Sequence, residues 1–178
     1  AKSFLESIGR GFEDLDLISF SQGPGIGNSL KIGALVAKTL ALRYDIPIVG
    51  VNHIKAHLEV GKMYTGMRDP LFLYVSGVNT QVIAKDDFGK YKIYGETEDI
   101  GLGNLLDSFA RLADLEFPGG PVIEKLAKKA ENFIELPYTV KGMNVSLAGM
   151  HSNLKSKIKA GYNVEDLCYS LQETSFAM

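Results

Sequence analysis

The chain has a single cysteine, only three histidines and no marked excess of either charge, and no apolar run in it approaches the ~20 residues needed to cross a bilayer. Lone Cys168 cannot build a disulfide framework. Set in an apolar helical pattern, it reads as a buried structural thiol rather than a nucleophile, and a reducing, cytoplasmic setting fits. A formal net charge of -2 provides no overall basic field, so any contact with nucleic acid must come from a local patch or a partner. No charged-then-apolar leader opens the chain, so neither secretion nor membrane insertion is expected. Internal repeats and low-complexity segments are also missing. What remains is 178 residues, 46% of them apolar, enough for one sizeable core or for parts of two smaller ones.

Two of the three histidines, His53 and His57, stand four residues apart in Val51-Asn52-His53-Ile54-Lys55-Ala56-His57-Leu58-Glu59. If this stretch is helical, both rings project from one face, where they either grip one metal ion or are simply solvated. The run Ile46–Val51 before them reads as a buried strand, and ligand sites of parallel α/β proteins gather beyond the carboxyl ends of strands. A zinc peptidase of the H-E-x-x-H kind needs glutamate after the first histidine. That position is Ile54, which argues against peptidase activity.

The rest of the chain organises around this stretch. Ala1 to Phe12 reads as a helix already under way, with Phe4, Leu5, Ile8 and Phe12 on one side. Leu15 to Phe20 reads as a buried strand, followed by Gly23-Pro24-Gly25-Ile26-Gly27 and by Asn28 or Ser29 as helix cap. The helix of about Leu30 to Tyr44 is apolar on most faces and is therefore either buried or a partner-docking surface. The glycine-rich turn matches neither common phosphate-binding pattern and is equally readable as a tight connection.

Three strand-like runs, Leu71–Ser76, Thr80–Ala84 and Lys90–Tyr94, joined by hairpin-type turns, predict an antiparallel meander. They place a domain boundary in Thr65 to Pro70, giving units 1–66 and 67–178. Beyond them a helix carries Asp107 and Arg111 at i, i+4, the spacing of a surface ion pair. Gly119-Gly120-Pro121 opens another helix with free amides, and Glu124 points from its first turn, suited either to a ribose or to the positive end of the helix. His151 stands apart and reads as a surface residue. The closing helical period runs to Met178 without a stop signal.

Taken together, FSQGPGIG, VNHIKAH, LYVSGVNTQVIA, GETEDIGLGNLLDSFAR, FPGGPVIEKLA, ELPYTVKGMNVSLAG and SLQETSFAM closely resemble one family. It is the tRNA threonylcarbamoyladenosine synthesis protein of the KEOPS complex in its archaeal or eukaryotic form, formerly described as a sialoglycoprotease. The resemblance covers nearly the whole chain. It implies an α/β fold of the two-lobed actin, Hsp70 and sugar-kinase kind, with ribonuclease-H-like cores, here incomplete at both ends. The activity implied is transfer of a threonylcarbamoyl group from threonylcarbamoyl-AMP to N6 of the adenosine next to the anticodon, in tRNAs reading ANN codons.

By the same resemblance His53, His57 and Tyr74 are metal ligands, for one divalent ion, iron ahead of zinc. Tyr74, Val75, Ser76, Gly77 and Val78 line the donor pocket, and Asp107, Gly120 and Glu124 hold the adenine nucleotide. The expected partners are a small dimerising KEOPS subunit on the first lobe, an atypical kinase-like ATPase subunit on the second, and tRNA through the assembled complex.

Two positions depart from the family pattern: Val78 where a second glycine is usual, narrowing the approach to phosphate, and Ala148 where a serine is usual. The family's amino-terminal phosphate hairpin and carboxyl-terminal aspartate ligand are absent, so this chain alone is expected to be inactive. The competing readings are an actin-like ATPase or sugar kinase, marked by nucleotide turnover without tRNA, and a noncatalytic scaffold paralogue, against which the retained histidine pair argues.

Overall fold

The computed structural model describes residues 2–178, leaving Ala1, the first residue of the expected opening helix, outside the description. The chain forms two compact units, Ala1–Arg68 and Asp69–Met178.

The first unit begins with α1 (Lys2–Ser7). This helix is shorter than the run to Phe12 that periodicity suggests, because Gly9 takes a left-handed φ of 67°. The Arg10 amide then returns to the Leu5 carbonyl at 2.9 Å, a helix-ending geometry that glycine makes accessible. A 3-10 turn (Phe12–Asp14) leads into β1 (Ile18–Gly23), α2 (Gly27–Tyr44), β2 (Ile48–Asn52) and α3 (His53–Thr65). β1 and β2 pair in parallel, Ile18 with Ile48 and Ser21 with Val51, as strand-helix-strand order requires.

Two expectations fail here, and one of two alternatives drops out. α2 starts one turn early, at N-cap Ile26 without a side-chain cap, so Asn28 and Ser29 lie inside its first turn. β2 is not buried: Ile48 is 40% exposed. Nor is α2 buried. It seats only Ala37 and Ala41 in a small core with Ile18 and Ile46, while Ile32, Leu35, Val36 and Leu42 face outward. A sheet of two strands has too little surface to cover an all-round apolar helix, so the apolar pattern here does not mean interior placement.

In the second unit β3 (Phe72–Val75), β4 (Thr80–Lys85) and β5 (Tyr91–Glu96) form the antiparallel meander, in that order. The first turn closes through Ser76 N–H to the Asn79 carbonyl at 2.7 Å. In the second, Asp86 accepts from the Phe88 and Lys90 amides. Then follow α4 (Leu102–Leu112), α5 (Gly119–Ala127), a two-residue hairpin β6 (Val140–Lys141) with β7 (Asn144–Val145), α6 (Ala148–Lys159) and α7 (Val164–Ala177). The four helices enclose the main core: Leu105, Phe109, Ile123, Met150, Leu154, Leu167 and Leu171, each 2% exposed or less, with Cys168 sealed among them. Burial pushes that thiol up to about 12, which suits packing and not nucleophilic chemistry.

Two carboxylates tie the irregular segments to this core. Asp99 accepts from the Ser146 hydroxyl at 2.6 Å and from the amides of Ile100, Leu147 and Ala148 at 2.7, 2.9 and 3.1 Å. It thereby caps α6 from the end of the meander. Asp166 on α7 accepts from the Glu131 and Asn132 amides at 2.8 and 3.0 Å, while Ser170 accepts from the Ile134 amide at 2.7 Å. Together they hold the strandless stretch before β6.

Partial burial alone would raise the Asp99 carboxyl, but the Ser146 hydroxyl and three amides outweigh it and hold the group at about 2, below its ordinary 3.8. A depressed folded-state value stabilises the fold above the unfolded value and loses that contribution as pH falls through the folded one. Asp99→Ala is therefore expected to destabilise the second unit at pH 7 by about 1–3 kcal/mol, the scale of a lost cap with unsatisfied amides. The difference in melting temperature between parent and variant should shrink as pH is lowered from about 4 towards 2, measured by circular dichroism.

Candidate functional site

Asn52, the last residue of β2, is the N-cap of α3, and its side chain accepts the Lys55 amide at 3.0 Å. This cap ends the strand and starts the helix with His53 as its first residue, so His57 follows one turn later on the same face. The two Nε2 atoms are 3.2 Å apart and the rings meet edge to face. Two imidazole nitrogens about 2.1 Å from a shared divalent ion, at that separation, subtend roughly 100° at it, between octahedral and tetrahedral values. The pair therefore fits a metal in both chemistry and spacing. Among the described residues no group of three or more His, Cys, Asp or Glu side chains surrounds a common point. Tyr74, the third expected ligand, belongs to β3 of the second unit, half-buried and paired in register with Gln81.

Val75 lines an apolar groove of about 480 Å³ with Val82, Leu102, Leu147, Phe176 and Met178. Ser76 and Gly77 instead turn their carbonyls to the amides of Gly103 and Asn104, at 3.2 and 2.9 Å, and Thr80 Oγ1 accepts the Leu102 amide at 2.9 Å. The first-turn amides of α4 are thus capped by the β3–β4 turn, which leaves them unable to cradle a phosphate. The approach needs glycine: a Cβ at Gly103 would come within 2.8 Å of the Gly77 Cα and the Ser76 carbonyl oxygen. Val78 points its side chain outward, 69% exposed, and Ala148 contributes its amide to Asp99.

The expected Asp107–Arg111 surface ion pair is absent. Asp107 instead accepts the Gly119 amide at 2.9 Å, joining α4 to the start of α5. This also corrects the expectation of free amides at Gly-Gly, since the first is consumed. α5 begins at Gly119, earlier than Pro121 suggests, so Glu124 sits in the second turn, where it pairs with Lys128 at 2.7 Å. Hydrogen bonding to Lys128 lowers its carboxyl from the ordinary value.

Gly120 and Glu124 share a cleft of about 490 Å³ with Leu106, Ile123, Gln172 and Phe176. Asp107 lines a different one. Leu106, Gln172 and Phe176 went unnoticed in the sequence, because helical periodicity places them on a face without saying what that face meets. His151, expected at the surface, is half-buried on α6.

A sequence model of the family described as TsaD, tRNA N6-adenosine threonylcarbamoyltransferase, matches residues 1–178. The tRNA N6-adenosine threonylcarbamoyltransferase of Thermococcus kodakarensis is 55% identical over 174 residues, covering 97% of this chain and 53% of that protein. A probable bifunctional tRNA threonylcarbamoyladenosine biosynthesis protein of Methanothermobacter thermautotrophicus is 56% identical over 165 residues, covering 93% of this chain and 31% of its own length. The chain thus spans about half, or less, of the curated relatives it matches. Among solved structures, YeaZ from Pseudomonas aeruginosa aligns with a TM-score of 0.39 at 14% identity, covering 93% of this chain and 78% of that one.

The two glycines that open α5 should respond oppositely to alanine. At Gly119 a Cβ would lie 2.7 Å from the Ala110 Cβ and 2.8 Å from the Leu106 carbonyl oxygen, whereas at Gly120 its nearest neighbour is the Leu106 Cδ1 at 3.9 Å. Thermal denaturation is expected to show Gly119→Ala destabilised by about 1–3 kcal/mol. Gly120→Ala should be neutral or stabilised by up to about 1 kcal/mol, through the lost flexibility of the unfolded chain.

Proposed function

The chain belongs to the TsaD family of tRNA N6-adenosine threonylcarbamoyltransferases, and from that premise we propose that it is part of an enzyme that makes N6-threonylcarbamoyladenosine in tRNA. The acceptor is the adenosine next to the anticodon in tRNAs reading ANN codons, and the donor is threonylcarbamoyl-AMP. The observation that carries the reading is the His53–His57 pair, two imidazoles 3.2 Å apart at the carboxyl end of a parallel strand, in a chain whose entire length matches the family.

In the reaction the N6 amine of adenosine attacks the carbamoyl carbonyl carbon. A nitrogen–carbon bond forms, the bond from that carbon to the phosphate oxygen breaks, AMP leaves and the amine gives up a proton. No covalent bond to the protein is needed. His53 and His57 would hold one divalent ion through Nε2, with Tyr74 as the third ligand that the family resemblance implies; the resemblance puts iron ahead of zinc, and the nitrogen-and-oxygen donors suit either. When bound, the ion supplies Lewis acidity that polarises the donor's carbonyl oxygen.

Glu124 accepts hydrogen bonds from ribose hydroxyls and Gly120 leaves the backbone open to the nucleoside. Leu106, Ile123 and Phe176 provide apolar wall for the base. Asp107 acts through Gly119, fixing where α5 begins, and is a positioning residue.

The outward apolar face of α2, with Ile32, Leu35, Val36 and Leu42, supports docking of the small dimerising KEOPS subunit on the first unit. The kinase-like ATPase subunit is assigned to the second unit from the family, and tRNA is engaged through the assembly. No helix among the described residues is long and apolar enough to cross a membrane.

In a full-length protein containing this segment, modification of tRNA should depend on the threonylcarbamoyl donor. His53→Ala with His57→Ala should lower its rate by roughly a hundredfold or more, the scale of several kcal/mol of lost charge stabilisation. ATP turnover without tRNA modification, or a double variant as active as the parent, would sink the proposal. Metal analysis gives a readout apart from activity: this 178-residue chain should retain divalent metal more weakly than the full-length protein, and either single His→Ala change should abolish what it retains.

A further inference from the structure

Four polar residues of α4, Asn104, Asp107, Ser108 and Arg111, recur at i, i+3, i+4 and i+7 and so share one helix face. With Phe117 and His151 they line a cleft of about 370 Å³. The opposite face, Leu105 and Phe109, is core. Two observations distinguish this cleft from an ordinary solvated face.

The first is an unpaired cation. Arg111 has a carboxylate one turn back, yet that carboxylate is occupied by the Gly119 amide, and Arg111 makes no ion pair among the described residues. The second is an uncovered ring. Phe117 is 81% exposed in the joint between α4 and α5, whose position is fixed by the Asp107–Gly119 bond and not by packing of the ring.

We propose that this cleft is a binding site for an unpaired nucleotide of RNA, with Phe117 stacking on the base and Arg111 on its phosphate. Asn104, Ser108 and His151 supply hydrogen-bonding groups for base edge or ribose. An exposed aromatic beside a free guanidinium is the combination by which single-stranded RNA is held. The volume suits one nucleotide unit rather than a peptide helix. The inference rests on the proposed tRNA activity, and it separates the two nucleotides that the reaction joins. The cleft of Glu124 carries an anion suited to ribose hydroxyls, and the cleft of Arg111 carries, beside the amide-bound Asp107 carboxylate, a guanidinium suited to the phosphodiester of the acceptor strand.

The test is equilibrium binding of a labelled seven-nucleotide single-stranded RNA, with AMP in parallel, to this chain. Binding by the isolated chain is expected to be weak and salt-dependent. Phe117→Ala should weaken RNA binding by roughly tenfold or more, while Phe117→Tyr keeps it. Arg111→Ala should lower the slope of log affinity against log salt by about 0.7, the single-strand value per phosphate, with Arg111→Lys restoring it. RNA binding that ignores both positions would overturn the proposal, as would a site that takes AMP as tightly as the oligonucleotide.

Cross-linking of a 4-thiouridine RNA to the unsubstituted chain reads the same contact without any folding question. Adducts in residues 104–117 or at His151 support the site, and adducts confined elsewhere overturn it. Replacing His53 and His57 by alanine should leave RNA binding intact. Loss of RNA binding at Phe117 and loss of group transfer at the histidines are therefore separable failures.

Discussion

The hydrogen bond from the Gly119 amide to the Asp107 carboxylate, 2.9 Å long, governs how the second unit presents its chemistry. α5 can start where it does because its first orphan amide is satisfied by the preceding helix, and because Gly119 lacks the Cβ that would press on Ala110 and Leu106. From that start, helical spacing carries Gly120 and Glu124 to one cleft. The same bond engages Asp107 with the backbone of α5, and Arg111, one turn on, makes no ion pair among the described residues although both line the other cleft. One contact thus bears on both clefts, through the start of α5 in the first and through an amide-bound carboxylate beside a guanidinium in the second.

Elsewhere in this unit carboxylates are again directed to backbone amides. Asp99 gathers three amides and a hydroxyl, and Asp166 gathers two amides and the Asn132 side chain. Ion pairs such as Lys2–Glu6, Arg10–Asp14 and Lys128–Glu124 are exposed and join residues four apart on one segment. Exposed pairs of this kind contribute about 0–1 kcal/mol each. An aspartate accepting several amides, as the buried Asp166 does, also prevents the cost of leaving those amides unsatisfied. The loops that frame the clefts therefore depend on three aspartates more than on the visible charge pairs.

What could be read from the sequence follows the range of the interactions involved. The meander was legible because alternation and turn residues act within a few positions: Asp86 binds amides two and four residues away. The shared face of His53 and His57 was legible for the same reason. The contacts of Asp99 with Ser146, Leu147 and Ala148 were not, since they join residues 47 to 49 apart and neither end has a local signature. Asp107 and Arg111 show how a valid local rule can be overridden, because i, i+4 spacing permits an ion pair but a helix amide competes for the carboxylate. In the first unit, β2 carries an apolar run that reads as interior and α2 one that reads as interior or docking face, and pattern alone could not reveal that β2 has one paired strand and that α2 seats only Ala37 and Ala41 in the small core. Leu106, Gln172 and Phe176 became visible as cleft residues only once α5 and α7 were packed.

The histidine pair raises a different question, that of how two side chains keep a fixed separation with no third group between them. Asn52 closes the first turn of α3, so the backbone carrying His53 and His57 is set by a local cap before anything binds. Two rings 3.2 Å apart on such a turn would lose little freedom on meeting a shared ligand, because the ordering cost has already been met in folding the helix.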